Sequence, residues 1–443
     1  MKPSMEQIIS LCKRRGFIFQ GSEIYGGLAG TFDYGPLGVA LKNNIKNLWW
    51  KQFVEDRTDM YGVDAAILMN QKVWQVSGHV GGFNDEVVEC SNCKSRFRED
   101  QVDTSTCPAC NKKGTFSEAR QFNMMFRTNV GASEDSDSVS YLRPETAQGM
   151  FVNFKNILDT FSPKLPFGMA QIGKAFRNEI APRDFIFRVR EFEQMEIEYF
   201  VDPRNKKVVD ETFDILYQEQ LKFLETIGIS KDKIHTIEVA EADRAHYSKR
   251  SVDTEYDLKK KKKELLGIAY RTDYDLGAHS KASGTDLNYF DEETKERFTP
   301  HCIEPTFGVD RLVLAVLADS YKTDGEGEDA RVYLSFAPSI APVKVCVSPL
   351  LKNKPELVEK AKEVFVDLKS AFGAVTWDDN GNIGKRYRRQ DEIGTPFCVV
   401  IDFDTLGENP ELLSTVTIRD RDTGRQERVS IVELEGYIRN KLK

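Results

Sequence analysis

Residues Gly173 to Phe200 read GKAFRNEIAPRDFIFRVREFEQMEIEYF, and this stretch decides the fold. It reads as two antiparallel strands joined by a long loop. Side chains alternate along a strand, so Gly173, Ala175, Arg177 and Glu179 share one face of the incoming run. Arg188, Arg190, Phe192, Gln194 and Glu196 share a face of the outgoing run, while Val189, Met195, Ile197 and Tyr199 take the other and suit a core. Arginines over a floor of small residues suit a polyphosphate, because guanidinium matches phosphate oxygens bidentately. On these residues alone, an exposed hairpin laced with cross-strand ion pairs is the commoner reading. The rest of the chain decides between them.

The 443 residues allow two or three domains, and 40% hydrophobic with 30% charged content describes an ordinary soluble protein. No apolar run approaches a membrane span, and the opening MKPSMEQIISLCKRRGF lacks a signal-peptide core. That opening predicts a short helix: Ser4 caps it, Gln7 completes a capping box, Ile8, Leu11 and Cys12 share a face, and Gly16 stops it. The net charge of −8 argues against indiscriminate nucleic-acid binding, though not against a local basic surface for a structured RNA. Eight cysteines without a leader point to a reducing compartment, the cytoplasm, where Cys-x-x-Cys pairs mean metal or redox work.

Cys90-x2-Cys93 and Cys107-x2-Cys110 have the two-knuckle spacing of a zinc ribbon. Four thiolates close a tetrahedron with no open position, so the predicted role is structural Zn2+ in a small insertion, 84–120. Upstream, the Gly- and aromatic-rich run Tyr25–Gly38 leads into a helix with Leu37, Leu41, Ile45, Leu48 or Trp49, and Phe53 along one side. Ser133–Ser138 is an acidic polar run that reads as a loop. Pro144 is placed to open a helix with Glu145 in its first turn. Residues 201–263 read as a mixed helical insertion ending in a five-lysine run, Lys259–Lys263, whose simplest reading is a solvated face. Glu264 then starts a strand. Further on, a strand runs into a helix whose Val309, Leu312, Val313, Val316 and Leu317 form an apolar stripe, leaving Arg311 near free helical amides that favour an anion.

From about Ala341 strands and helices alternate, predicting a small mixed α/β sheet after the linker Ala-Pro-Ser-Ile-Ala-Pro. Lys385-Arg-Tyr-Arg-Arg389 is a basic cluster around an aromatic, suited to phosphate and base contacts, although a solvated helix face is the commoner reading.

FRNE followed by RxREFxQxE resembles the second signature motif of class II aminoacyl-tRNA synthetases, in the form found in glycyl-tRNA synthetases. Tyr141-Leu-Arg-Pro-Glu-Thr-Ala-Gln-Gly149 is similar to a fingerprint of that subgroup, and Cys302-Ile-Glu-Pro-Thr-Phe-Gly-Val-Asp-Arg311 resembles the third signature. Together with the ribbon and the C-terminal α/β unit, the resemblance covers nearly the whole chain. One departure stands out: Thr306 replaces the serine usual in glycyl enzymes, keeping the hydroxyl but adding a methyl that can tighten the pocket or push the hydroxyl aside.

The resemblance implies an α+β fold: an antiparallel sheet flanked by helices over 1–338, and an anticodon-binding domain over 339–443. It implies ATP-dependent attachment of glycine to tRNA(Gly) by a homodimer whose interface uses the helix after Pro36. Arg177, Glu179 and Arg311 are the expected catalytic residues. The implied ATP site adds Asn178, Phe187, Arg188, Val189, Arg190, Glu191 and Phe192 on the hairpin, then Glu264, Leu265, Gly308, Val309 and Asp310. Phe192 is expected beneath adenine, Glu179 at its amino group, and Mg2+ on the phosphates near Glu264 and Glu304. Implied glycine contacts are Arg98, Glu145, Phe192, Glu193, Gln194, Met195, Glu196, Glu304, Pro305, Thr306, Phe307 and Gly308, with Glu145 and Glu196 meeting the ammonium. A sister synthetase of the same subclass, or a non-catalytic nucleic-acid-binding relative of the fold, are the rival readings. Retention of both Arg177 and Arg311 argues against the second.

Overall fold

The computed structural model describes residues 3–132, 138–245, 247–258, 261–325, 327 and 330–442. Most of the acidic run 133–138, and Lys259 and Lys260 of the lysine run, therefore lie outside the described residues.

The chain opens with α1 (Met5–Arg15), in which Ser4 and Gln7 form the expected capping box and Gly16 sits in the left-handed C-cap. α2 (Pro36–Trp50) follows, burying Leu41, Ile45 and Trp49. A seven-stranded sheet is then assembled from β1 (Met60–Gly62), β2 (Phe167–Phe176), β3 (Glu191–Val201), β4 (Ile234–Glu238), β5 (Arg250–Leu258), β6 (Lys261–Thr272) and β7 (His301–Gly308). Its spatial order is β4-β5-β6-β7-β3-β2-β1, antiparallel throughout except for the β1–β2 edge. The hairpin that decided the fold is thus β2–β3, with Phe192 opposite Ala175 and Glu196 opposite Gln171.

Strand alternation divides this sheet into two chemically different faces. On the back face Met195, Ile197, Tyr199, Ile303 and Phe307 join one large core with α1, α2, the helix Lys206–Thr226 and the helix Val309–Ser320. On the front face the far end is apolar too, where Phe167, Met169, Phe200 and Cys302 pack beneath Ala147, Met150, Phe151 and Phe154. The middle of the front face carries Gln194, Glu196, Glu304 and Thr306 and stays open as a cleft. Two sequence expectations change here. The stretch 201–263 is one helix followed by β4 and β5, which extend the main sheet rather than form a helical insertion. The short helix after Pro144 begins only at Ala147, leaving Glu145 in the turn before it, free to point into the cleft.

Residues 84–123 form a separate three-stranded sheet, with Asn84–Glu89 between Arg96–Arg98 and Arg120–Asn123. The C-terminal unit is a five-stranded mixed sheet. Its members are β8 (Val345–Pro349), β9 (Val375–Trp377), β10 (Phe397–Ile401), β11 (Thr415–Asp420) and β12 (Gln426–Ser430), ordered β9-β8-β10-β11-β12. β8 runs parallel to both β9 and β10, and the last two strands return antiparallel. Leu357, Ala361, Val364 and Leu368 of the helix Pro355–Phe372 face this core. The linker is not loose: Ile340 and Ala341 are buried in the large core behind the seven-stranded sheet, and the Asn44 amide donates to both of their carbonyls at 3.1 Å.

Candidate active site

Two cavities open on the front face and share Arg177, Gln194, Glu264, Gly267 and Thr306, so they form one continuous cleft. Small residues make its floor. A Cβ on Gly173 would come within 2.3 Å of Arg143 Nη2, so the glycine admits that buried guanidinium. Gly267 lies at the centre of the cleft, where a Cβ would meet only Asp253 Oδ1, at 3.8 Å, and would point into open space.

Arg177 occupies the junction. It follows the last residue of β2, its Nε donates to the Pro144 carbonyl at 3.1 Å, and its guanidinium lies 5.4 Å from the Phe83 ring and 5.3 Å from the Phe192 ring. No described carboxylate forms an ion pair with it. An arginine steered by aromatic faces and left without a counter-charge in a cleft is a ready anion receptor.

On one side of Arg177 the walls are cationic. Arg311, in the first turn of the helix Val309–Ser320, lies 4.7 Å from the Phe187 ring and 3.2 Å from Glu264 Oε2. Arg188 Nε donates to Glu179 Oε2 at 2.6 Å, with Asp85 3.8 Å from its other end. Lys263 pairs with Asp184 at 2.9 Å, which gives that member of the lysine run a local partner.

The other side is acidic. Glu196 Oε1 accepts from the Thr306 hydroxyl at 3.0 Å, and Oε2 accepts from the Thr146 amide at 3.2 Å and from its hydroxyl. Glu145 is buried beside His79, 3.2 Å away, and accepts from Gln148 at 3.1 Å. Burial favours protonation of Glu145, but His79, Arg271 and Gln148 outweigh it and hold its carboxyl well below the usual carboxylate range. Burial, then the charge of Glu145, push the Glu196 carboxyl up against the two threonine donors. Glu304 is engaged by Arg271 Nη1 at 2.7 Å, and Arg271 is also held bidentately by Asp275 at 2.8 and 2.9 Å. Glu198 lies behind them, fully buried, its carboxyl pushed well up by burial and by Glu304. This end of the cleft is built to receive a small cation.

The structure brings Glu179, Phe187, Arg188, Val189, Phe192, Leu265, Gly308 and Arg311 around the first cavity, and Glu145, Glu196, Glu304 and Thr306 around the second. It removes others. Met195 and Phe307 turn into the back core, as strand alternation requires, and Pro305 and Val309 are buried with them. Glu193 borders the first cavity, but its carboxylate is on the back side, paired with Lys42 and Lys46 at 2.8 Å. Asp310 also borders the first cavity, its buried carboxylate accepting from the Tyr34 hydroxyl at 2.5 Å and the Glu193 amide at 2.8 Å. Arg190 clamps the carbonyls of Ala29 and Glu179, Glu191 pairs outward with Lys174, and the Asn178 amide bonds Met124. Arg98 pairs with Asp85 and Asp100 at 2.8 and 3.0 Å, beside Arg188 rather than beside the glutamates. Sequence reading missed Arg271, Asp275, Tyr247, His79 and Phe83. The i,i+4 spacing of Arg271 and Asp275 was visible, but it straddles a strand end and a helix start, so periodicity gave no cue.

In the small sheet the Cys90 and Cys110 sulfurs lie 3.8 Å apart and those of Cys93 and Cys107 3.7 Å. A tetrahedral Zn–S site with bonds of about 2.3 Å has edges of about 3.8 Å. The four thiols fit that ion.

An antiparallel sheet bearing an arginine-rich strand–loop–strand, a strand-to-helix arginine and a separate mixed α/β domain defines a class II aminoacyl-tRNA synthetase. Residues 126–320 match the tRNA synthetase class II core domain (G, H, P, S and T), and residues 344–441 match the anticodon binding domain family. The chain is 48% identical to the glycine–tRNA ligase of Clostridium acetobutylicum over 99% of both chains. It is 48% identical to that of Caldanaerobacter subterraneus over 100% of this chain and 99% of the relative. It is 47% identical to that of Thermobifida fusca over 99% and 98%. The chain belongs to the glycine–tRNA ligase family.

Proposed function

We propose that the cleft activates glycine with ATP and passes the glycyl group to tRNA(Gly). A glycine carboxylate oxygen attacks the α-phosphorus, pyrophosphate leaves, and glycyl-adenylate forms. The terminal tRNA hydroxyl then attacks the glycyl carbonyl and AMP leaves. In-line displacement at phosphorus needs positioning and charge neutralisation more than a protein base. Arg177 takes that role because it sits between the cationic and acidic ends of the cleft with no carboxylate of its own. This is the observation that carries the reading.

ATP then extends from Arg177 toward Arg311, with adenine over Phe192 and its amino group toward Glu179. The ammonium of glycine enters between Glu145 and Glu196. Mg2+ fits at Glu264, a half-exposed carboxylate at the mouth beside Arg311, where it would supply charge neutralisation on the phosphates. Glu304 fits less well, since Arg271 already holds it in the buried wall. Zn2+ in the Cys90, Cys93, Cys107, Cys110 cluster would fix the small sheet 84–120 as a structural insertion within 1–338, followed by the anticodon unit 339–443.

The homodimer is supported by the exposed apolar residues Ile24, Tyr25 and Leu28, and by Val39 on α2. No helix among the described residues is long and apolar enough to cross a membrane, which accords with a cytoplasmic translation enzyme. The test is amino-acid-dependent ATP–pyrophosphate exchange with glycine, alanine and serine, using wild type and Arg177→Ala. Exchange with glycine alone, abolished by the substitution, is expected. Exchange with another amino acid sinks the glycine pocket, and no exchange with any sinks the catalytic reading.

A further inference from the structure

We propose that Tyr247 determines amino-acid specificity by roofing the pocket between Glu145, Glu196 and Glu304, in the space where a side chain on the substrate Cα would project. The inference rests on the reading of that pocket as the glycine site.

The sheet alone cannot exclude a larger amino acid. Its side chains at this end of the cleft are small, polar or acidic, among them Gly267, Ala269, Thr306, Glu196 and Glu304, while Ile268, which also borders the cavity, packs its side chain into the back core. The opposite wall comes from Val239, Asp243, Arg244, Ala245 and Tyr247, in the connection between β4 and β5. This segment is clipped shut at its base: Arg244 Nε donates to the Val239 carbonyl at 2.9 Å and Nη1 to the Lys249 carbonyl at 2.5 Å. Its ends are tied to the sheet by the Val239 amide on Ser251 and the Lys249 amide on Tyr270, each at 2.9 Å. Among the described residues, Tyr247 is the one aromatic it brings to the cavity.

The ring is held in place by what lies under it. Arg271 Cζ is 3.9 Å from the Tyr247 ring centroid, and the Tyr274 ring is 6.1 Å away. Arg271 cannot retreat, because Asp275 and Glu304 grip it and it is 1% exposed. A ring seated on an immobilised guanidinium is a rigid wall. With the ammonium between Glu145 and Glu196 and the carboxylate directed to Arg177, the Cα lies between the sheet floor and this roof. Glycine carries only hydrogens there, whereas the methyl of alanine or the hydroxymethyl of serine must displace the ring. A roomy hydrophobic pocket separates substrates differing by one methylene by only about 10- to 200-fold, so a hard wall is the stronger device.

The test compares kcat/KM for glycine and alanine in ATP–pyrophosphate exchange, using the full-length wild type and the variants Tyr247→Ala, Tyr247→Leu and Tyr247→Phe. The alanine variant, and to a smaller extent the leucine variant, should raise the alanine-to-glycine ratio by about tenfold or more, chiefly through a lower KM for alanine. The phenylalanine variant keeps the ring and should keep the ratio. Should the alanine variant fail to fold, the leucine variant decides. An unchanged ratio in the folded truncations overturns the proposal, and so does a phenylalanine variant as relaxed as the alanine one. Wild type without glycine-dependent exchange would strike the site reading itself, not Tyr247 alone.

Discussion

Glu196 and Thr306 face each other in register across β3 and β7, and the threonine hydroxyl donates to Glu196 Oε1 at 3.0 Å. The extra methyl relative to serine has therefore not displaced the hydroxyl. Glu196 is pinned at both oxygens, by Thr306 on one and Thr146 on the other.

Thr306→Val removes one pin while keeping the shape. Glu196 Oε1 would keep only the longer bond from the Gln194 amide, at 3.4 Å, and losing the shorter one costs about 1–3 kcal/mol, so KM for glycine should rise by about tenfold, with Thr306→Ser close to wild type. Steady-state exchange kinetics check this, and an unchanged KM in the valine variant refutes it.

Arg271 lies at the centre of a buried ion-pair group with Asp275 and Glu304. Removing one partner of such a group strands the others, at about 3–5 kcal/mol. Arg271→Met should lower the urea unfolding midpoint accordingly. Arg271→Lys should recover only part, because a point charge cannot reproduce the bidentate grip on Asp275. Equal midpoints for methionine and wild type would contradict this.

Lys344 is half-buried at the domain joint, its Nζ donating to the carbonyls of Pro338 and Ser339 at 2.6 and 2.7 Å, and desolvation lowers its pKa to about 8. Between pH 8 and 10.5 the unfolded lysine still holds its proton while the folded one has lost it, so this group stabilises the fold progressively as pH rises. The stability of wild type minus Lys344→Met should therefore climb through that window, with a slope approaching about 1.4 kcal/mol per pH unit. Chemical denaturation at pH 7.5, 8.5 and 9.5 reads it, and a flat difference removes the effect.

Cys93→Ser opens the four-thiol cluster. Elemental analysis should fall from one zinc per chain toward none, and limited proteolysis should begin to cut within 84–120 while the seven-stranded core stays resistant. Full zinc retention would exclude the cluster as the metal site.

The basic cluster of the C-terminal unit is spent on structure to a degree its composition does not reveal. Arg386 is 2% exposed and bonds the Gly381 and Pro349 carbonyls, and Arg389 is paired with Asp378. Arg386→Ala should destabilise this domain by about 2–4 kcal/mol. Its effect on tRNA affinity should appear only as unfolding, whereas tRNA binding lost at full stability would restore the surface reading.

By itself the sequence determined whatever depends on spacing along the chain. Strand alternation separated Met195, Ile197 and Tyr199 from Phe192, Gln194 and Glu196; the cysteine pairs foretold a thiol tetrahedron; and Ser4, Gln7 and Gly16 bounded the first helix as they do in the structure. The same alternation, applied to every motif residue, would have turned the side chains of Glu193, Met195 and Phe307 to the back of the sheet, which a contiguous motif conceals. The tertiary structure decided what depends on residues far apart in sequence. Arg271 is charged like any surface arginine until β6, β7 and the helix Tyr274–Ser283 bring Glu304 and Asp275 to it. Tyr247 is an unremarkable loop residue until its segment sets the ring on that guanidinium. Local periodicity encodes which face a side chain takes, but charge compensation and steric closure arise only when separate strands meet in three dimensions.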